Sequence, residues 1–431
     1  MRDYLRFDRR FEINIFESDP NPPYVGKPRL GIVSPRQPLE MLDFDGNGSR
    51  DLAVFKTRPT DSLANTAQWV IRHAPSFGTE HVRRFGRLDD VPVPGFYDAD
   101  SATDQAVYRP GEVGSGAETD ASNWYWCPSN CPAMPPGCPP TPPNCELGGW
   151  ASDTFGVRED LPLPNLKFGT GRYLAVYRPS NGTFYWRAIG GGTMYTAAVA
   201  PSGAGQRSMP LPGLYDSDDL VDLATYDPIT GRFDLALSTE GWSVATKRVR
   251  VFPSKYQMSF AAGTIDAQAR AGGIPVRGVR RALSGGQIRT VFALYDPEVG
   301  RGDIAWDVLT ATSSPWTATT ASFGSLGNAA FGGINANPAP YDYLLGVTWG
   351  NPATLTLGVP DAFGVLSSTP ASNNLNIRND FFGGLVADLS GDGVPDLLLH
   401  DGEAGSISII PSPFFSSSVG VPMGGPYAQL L

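Results

Sequence analysis

Residues 43–51 read Asp43-Phe44-Asp45-Gly46-Asn47-Gly48-Ser49-Arg50-Asp51, and Leu52-Ala53-Val54-Phe55 follows directly. Acidic or amide side chains fall at the first, third, fifth and ninth positions, with two glycines between them. That spacing suits a hard cation. A tight loop turns alternate side-chain oxygens inward, and glycine supplies the backbone angles the turn needs. Asp43, Asp45, Asn47 and Asp51 are the side-chain candidates, and Ser49 offers its backbone carbonyl. The apolar run after the loop reads as a buried strand.

The pattern recurs. Residues 388–396 read Asp-Leu-Ser-Gly-Asp-Gly-Val-Pro-Asp, which places Asp388, Ser390, Asp392, Val394 and Asp396 at the same positions. Residues 96–104 carry Asp98, Asp100 and Asp104, and residues 214–222 carry Asp216, Asp218 and Asp222. In these two copies Phe96 and Leu214 replace the first acid, so fewer charges face a cation. A loop-then-strand unit repeated with decay is the signature of a repeat fold. The competing reading of each loop is an Asp turn held by its own backbone bonds.

The chain has 431 residues, with 50 Gly and 40 Pro, far more turn-formers than a helical protein tolerates. Short β-branched and aromatic runs separate the Gly/Pro clusters, so the class is all-β. A net charge of -10 argues against a nucleic-acid partner. No apolar run approaches a membrane span, and the first residues lack the apolar core of a signal peptide.

The units share one order: a Pro-rich lead-in, an acidic loop, an apolar strand, an Arg-Pro turn and an aromatic strand. Tyr108-Arg109-Pro110 matches Tyr177-Arg178-Pro179, and Asn123-Trp124-Tyr125-Trp126 matches Thr183-Phe184-Tyr185-Trp186. Seven such units of roughly fifty to seventy residues predict a seven-bladed β-propeller of four-stranded blades. Residues 1–30 hold an alternating strand, Phe11-Glu12-Ile13-Asn14-Ile15-Phe16, expected to close the ring; residues 31–431 form the propeller. A Cys/Pro-rich loop insertion spans 127–145, because its prolines exclude a helix or central strand.

Val91-Pro92-Val93-Pro94-Gly95-Phe96-Tyr97-Asp98-Ala99-Asp100 with Ala106-Val107-Tyr108-Arg109-Pro110, and more fully 43–51 and 388–396, resemble FG-GAP and VCBS-type repeats. These occur in propellers that include the integrin α head and certain fungal lectins. The resemblance implies a propeller with Ca2+ in some blade loops. It implies no single function, since the fold hosts adhesion, sugar binding and catalysis.

The four cysteines, Cys127, Cys131, Cys138 and Cys145, read as two disulfides of open pairing, which places the protein in an oxidising, extracellular or cell-surface setting. Trp124, Trp126 and Trp186 are candidate sugar-stacking residues, against the competing reading of packing between blades. None of the histidines His73, His81 and His400 falls in a metal or nucleophile motif. The reading is therefore a non-enzymatic extracellular binding, adhesion or surface-assembly module that contacts protein or cell-surface glycan. Self-association is conceivable. A carbohydrate-binding lectin is the second reading, and a polysaccharide lyase or hydrolase the third.

Overall fold

The computed structural model describes residues 42–251 in full, apart from 57–65, 88–89, 112–120, 129–148, 205–207 and 228–229; beyond that span it describes strand backbones and a few side chains. The described strands form seven four-stranded antiparallel sheets, one three-stranded sheet and one two-stranded hairpin. This nearly all-β arrangement is compatible with a β-propeller.

Each acidic loop feeds a strand buried along most of its length. Leu52–Lys56 is buried throughout, and Gln105–Arg109 and Leu223–Asp227 follow the same pattern. Burial on both faces explains why the centres of these strands do not alternate apolar with charged residues. Among the described residues, outer strands are the opposite. Glu80–Arg84, Tyr195–Ala197 and Arg248–Val251 are largely exposed and carry charge or isolated apolar residues.

Register repeats from sheet to sheet. Phe55 faces Trp69, Tyr108 faces Trp124, Tyr177 faces Phe184 and Tyr226 faces Phe233, each pair on the two central strands of its sheet. The Phe55–Trp69 and Tyr108–Trp124 rings meet edge to face at 5.2 Å. Cross-strand aromatic pairs are the strongest pairs a sheet offers.

Consecutive sheets share cores. Phe55 and Trp69 pack with Val107 and Cys127 of the next sheet; Trp124 packs with Leu174 and Val176; Trp186 with Leu223; Phe233 with Phe292. Hydrogen bonds join the same neighbours. Thr103 N–H donates to Asp43 O at 2.6 Å, and Asp43 N–H returns a bond to Thr103 Oγ1 at 3.0 Å. The exchange recurs between Thr290 and Leu214.

The Arg-Pro turn has a structural cause. Arg109 forks onto buried Asp90 at 2.8 and 2.9 Å and lies 4.5 Å from the centre of the Tyr125 ring. Arg178 does the same to Asp160 and Tyr185. A bidentate Arg–carboxylate pair stacked on an aromatic ring is what Arg, and not Lys, can make. The lead-in turns before Asp90 and Asp160 use Gly86 and Gly156 at φ +92° and +99°, where a Cβ would meet Val107 Cγ1 at 2.9 Å or Tyr108 Oη at 3.0 Å.

The strand beside Leu52–Lys56 is Ala428–Leu430, from the C-terminal part of the sequence. Asp3–Phe7, Ile13–Glu17 and Pro28–Val33 pair with one another. The alternating segment finds its partners locally, where loop closure costs least entropy. Most of the expected insertion, residues 129–145, lies outside the described residues.

Trp124 is 1% exposed and its indole N–H donates to Phe155 O at 3.0 Å. Trp124→Ala should therefore destabilise the protein by about 3–5 kcal/mol, read as a lowered urea midpoint. A change below about 1 kcal/mol would mean the aromatic pairs do not organise the sheets.

Candidate metal centre

The ninth residue of each described loop does the same work. Asp51 Oδ2 accepts Phe44 N–H at 2.7 Å; Asp104 Oδ2 accepts Tyr97 and Asp98 N–H at 2.8 and 3.2 Å; Asp222 Oδ2 accepts Tyr215 and Asp216 N–H at 2.6 and 2.9 Å. All three carboxylates are buried. Each fixes the start of its loop against the strand that the loop enters. The remaining donors then differ from loop to loop.

In loop 96–104, Asp98, Asp100 and Asp104 each present a carboxylate oxygen, and the three oxygens lie within 4.8 Å of one another. Asp98 Oδ1 accepts Asp100 N–H, and Asp100 Oδ1 accepts Ala102 N–H, both at 2.9 Å. Asp100 Oδ2 is buried with no hydrogen-bond partner. Burial, and then the neighbouring Asp98, push the Asp100 carboxyl above its usual range, against the bond from Ala102 and the charge of Arg172. A carboxylate oxygen without a hydrogen-bond partner is costly away from water. The donor set is all oxygen, which suits a hard divalent cation.

In loop 43–51 the expected ligands divide. Asp43 turns both oxygens onto its own loop, accepting Asn47 N–H at 3.0 Å and Gly48 N–H at 2.8 Å. Asn47 Oδ1 accepts Ser49 N–H at 2.7 Å. These are Asp-turn bonds of the competing kind. What converges is Asp45, Asp51 and His73. His73 Nδ1 stands 3.0 Å from Asp51 Oδ2 and 3.6 Å from Asp45 Oδ2. The sequence reading set His73 aside because no linear motif contains it. The signal lay in the hairpin: Leu52 pairs with Arg72, so the residue after Arg72 lies beside the residue before Leu52.

In loop 214–222 the carboxylates close on hydroxyls. Ser238 Oγ lies 2.8 Å from Asp218 Oδ1, 2.9 Å from Asp222 Oδ1 and 3.3 Å from Asp216 Oδ2, and Thr239 Oγ1 donates to Asp216 Oδ2 at 2.7 Å. Asp388, Ser390, Asp392 and Val394 lie outside the described residues; Asp396 is buried at the start of Asp396–Asp401.

The candidate sugar platforms are core. Trp124, Trp126 and Trp186 are buried, and Trp186 stacks on Phe168 at 4.6 Å. Their apolar faces are consumed by packing between sheets, so none offers a ring to a ligand. Cys127 is buried at the end of Ala121–Cys127, and Cys131, Cys138 and Cys145 lie outside the described residues.

No protein-family model and no curated protein sequence matches the chain. Among solved structures, it is similar to the Pseudomonas aeruginosa periplasmic gluconolactonase PpgL, at 13% identity and TM-score 0.44, over 88% of this chain and 99% of that one. A proposed 6-phosphogluconolactonase from Bacteroides fragilis matches at 13% and 0.43, over 88% and 98%. Virginiamycin B lyase from Staphylococcus aureus matches at 10% and 0.39, over 74% and 89%. The named activities are enzymatic, which overturns the expectation of a non-enzymatic binding, adhesion or assembly module, and that expectation is withdrawn. At these values the likeness concerns the fold and assigns no reaction or residue to this chain. Among the described residues no helix is long and apolar enough to cross a membrane.

The bond to Asp51 raises the His73 pKa above its usual value, against the cost of burial. A raised pKa means that the stabilisation from protonated His73 is complete below about pH 6.5 and is lost as pH rises through the folded-state value. With chelator present, His73→Gln should lower the urea midpoint more at pH 5.5 than at pH 8.5. An equal loss at both would show that the His73–Asp51 pair carries no charge.

Proposed function

We propose that the chain is a calcium-binding, seven-bladed β-propeller whose ring closes through the pairing of Ala428–Leu430 with Leu52–Lys56. The observation that carries the metal assignment is the buried, unpartnered Asp100 Oδ2 beside Asp98 and Asp104. Ca2+ takes six to eight oxygens in flexible geometry, so these three carboxylates leave positions for backbone carbonyls and water. The FG-GAP-like spacing of the loop supports the same ion. In the seventh unit Asp388, Asp392 and Asp396 repeat the spacing and are proposed as a second calcium loop.

The ion neutralises clustered carboxylates and stiffens the loop that leads into Gln105–Arg109. The residues of this chain orient the site from beneath: Asp104 holds the backbone of Tyr97 and Asp98, and Arg172 of the next sheet donates to Asp100 O at 2.7 Å. A cation here therefore braces neighbouring sheets as well as its own loop. The cysteine-rich segment supports disulfides and an exported protein. For catalysis, the lactonase and lyase names of the fold neighbours supply assays to run and assign no residue.

Metal-stripped protein should melt higher when Ca2+ is restored, with about 2.7 kcal/mol of added stability at a hundred times the dissociation constant. Asp100→Asn should abolish most of that shift. An unchanged melting curve on adding Ca2+ would remove the calcium assignment.

A further inference from the structure

We infer that Asp45, Asp51 and His73 form a second kind of metal site, one that takes a zinc-like transition-metal ion in preference to calcium. The inference is independent of the calcium reading, because it uses a different loop and a nitrogen donor. Three features carry it. The three donor atoms already lie within 4.8 Å of one another. Nδ1 of His73 is 3.0 and 3.6 Å from the two carboxylate oxygens, which brackets the separation of about 3.4 Å between ligands of a tetrahedral ion bound at about 2.1 Å. Asp43, the acid that a calcium loop needs at its first position, is not among these converging donors; its oxygens point to Asn47 and Gly48 N–H. The site thus loses the oxygen count that favours Ca2+ and gains an imidazole, which favours Zn2+, Cu2+ or Ni2+.

The partners already present leave room for a metal bond. Asp51 Oδ1 accepts Ala74 N–H and Oδ2 accepts Phe44 N–H, so each oxygen keeps a lone pair. Asp45 Oδ2 accepts the Asn47 amide at 3.1 Å. A metal bound between His73 Nδ1 and Asp51 Oδ2 takes the place of the hydrogen bond between them. A second imidazole stands ready: the His81 ring lies 4.7 Å from the His73 ring on the exposed strand Glu80–Arg84. Arg83 on that strand is the cation that opposes the site.

The test is titration of the metal-stripped full chain with Zn2+ by calorimetry, and with Co2+ by visible absorption, in wild type, His73→Gln, Asp45→Asn and Asp100→Asn. Loss of an outer-sphere partner already costs about 10–100-fold in affinity, so loss of a ligand should cost at least about tenfold. His73→Gln and Asp45→Asn should each lose that much, while Asp100→Asn should bind as wild type. Asp45 is exposed, so its variant carries the test if His73→Gln does not fold. Wild-type affinity in both loop variants, or displacement of Co2+ by millimolar Ca2+, would overturn the site. Loss of the calcium response in Asp100→Asn with Zn2+ binding retained would separate the two metals.

Discussion

A buried carboxylate that accepts backbone N–H groups sits at the base of each described acidic loop. Asp51, Asp104 and Asp222 accept backbone N–H groups from the second or third residue of their loops. This bond fixes where the loop begins relative to the strand that follows. The strand then fixes the aromatic pair four residues on: Phe55, Tyr108 and Tyr226 stand at equal offsets from the three carboxylates. Those pairs fill the space between sheets. Without that anchor, the register that brings Thr103 to Asp43 and Thr290 to Leu214 would have no common origin.

Once the loop is anchored, its chemistry depends on what lies across the hairpin. Across from the first loop stands His73, which turns an oxygen cluster into a mixed one. Across from the third loop, the hydroxyls of Ser238 and Thr239 hydrogen-bond the carboxylates directly. In the second loop one carboxylate oxygen is left without a partner. The same repeat thus offers three solutions to clustered negative charge: a histidine, a hydroxyl cap and a bare oxygen. The first and last leave donor atoms for the cations proposed above; in the second, hydroxyl protons already meet the carboxylates.

The sequence displayed what is local. Acid spacing, Gly and Pro punctuation and continuous apolar runs each reflect a constraint that acts within a few residues, so the loops and the strands after them were legible. The lead-in aspartates and the Arg-Pro turns were visible as recurring letters, though their bidentate pairing across the sheet was not. What escaped reading is set by pairing between distant segments. His73 joins the first loop only through hairpin register, and Ser238 reaches the third loop in the same way. Trp124 and Trp186 read as either platform or core from sequence, because an aromatic residue on a strand gives no sign of which face the next sheet covers. The strand beside Leu52–Lys56 comes from the far end of the chain, and no local pattern marks Ala428–Leu430 for that partner.

The most direct measurement is a crystal structure of the protein grown with calcium, with an anomalous difference map collected at long wavelength. The expected result is a peak between Asp98, Asp100 and Asp104, with carboxylate oxygens at about 2.3–2.6 Å, Asp100 Oδ2 among them. A water molecule at that position, or a carboxylate turned away to meet the Arg172 side chain, would contradict the calcium-loop account.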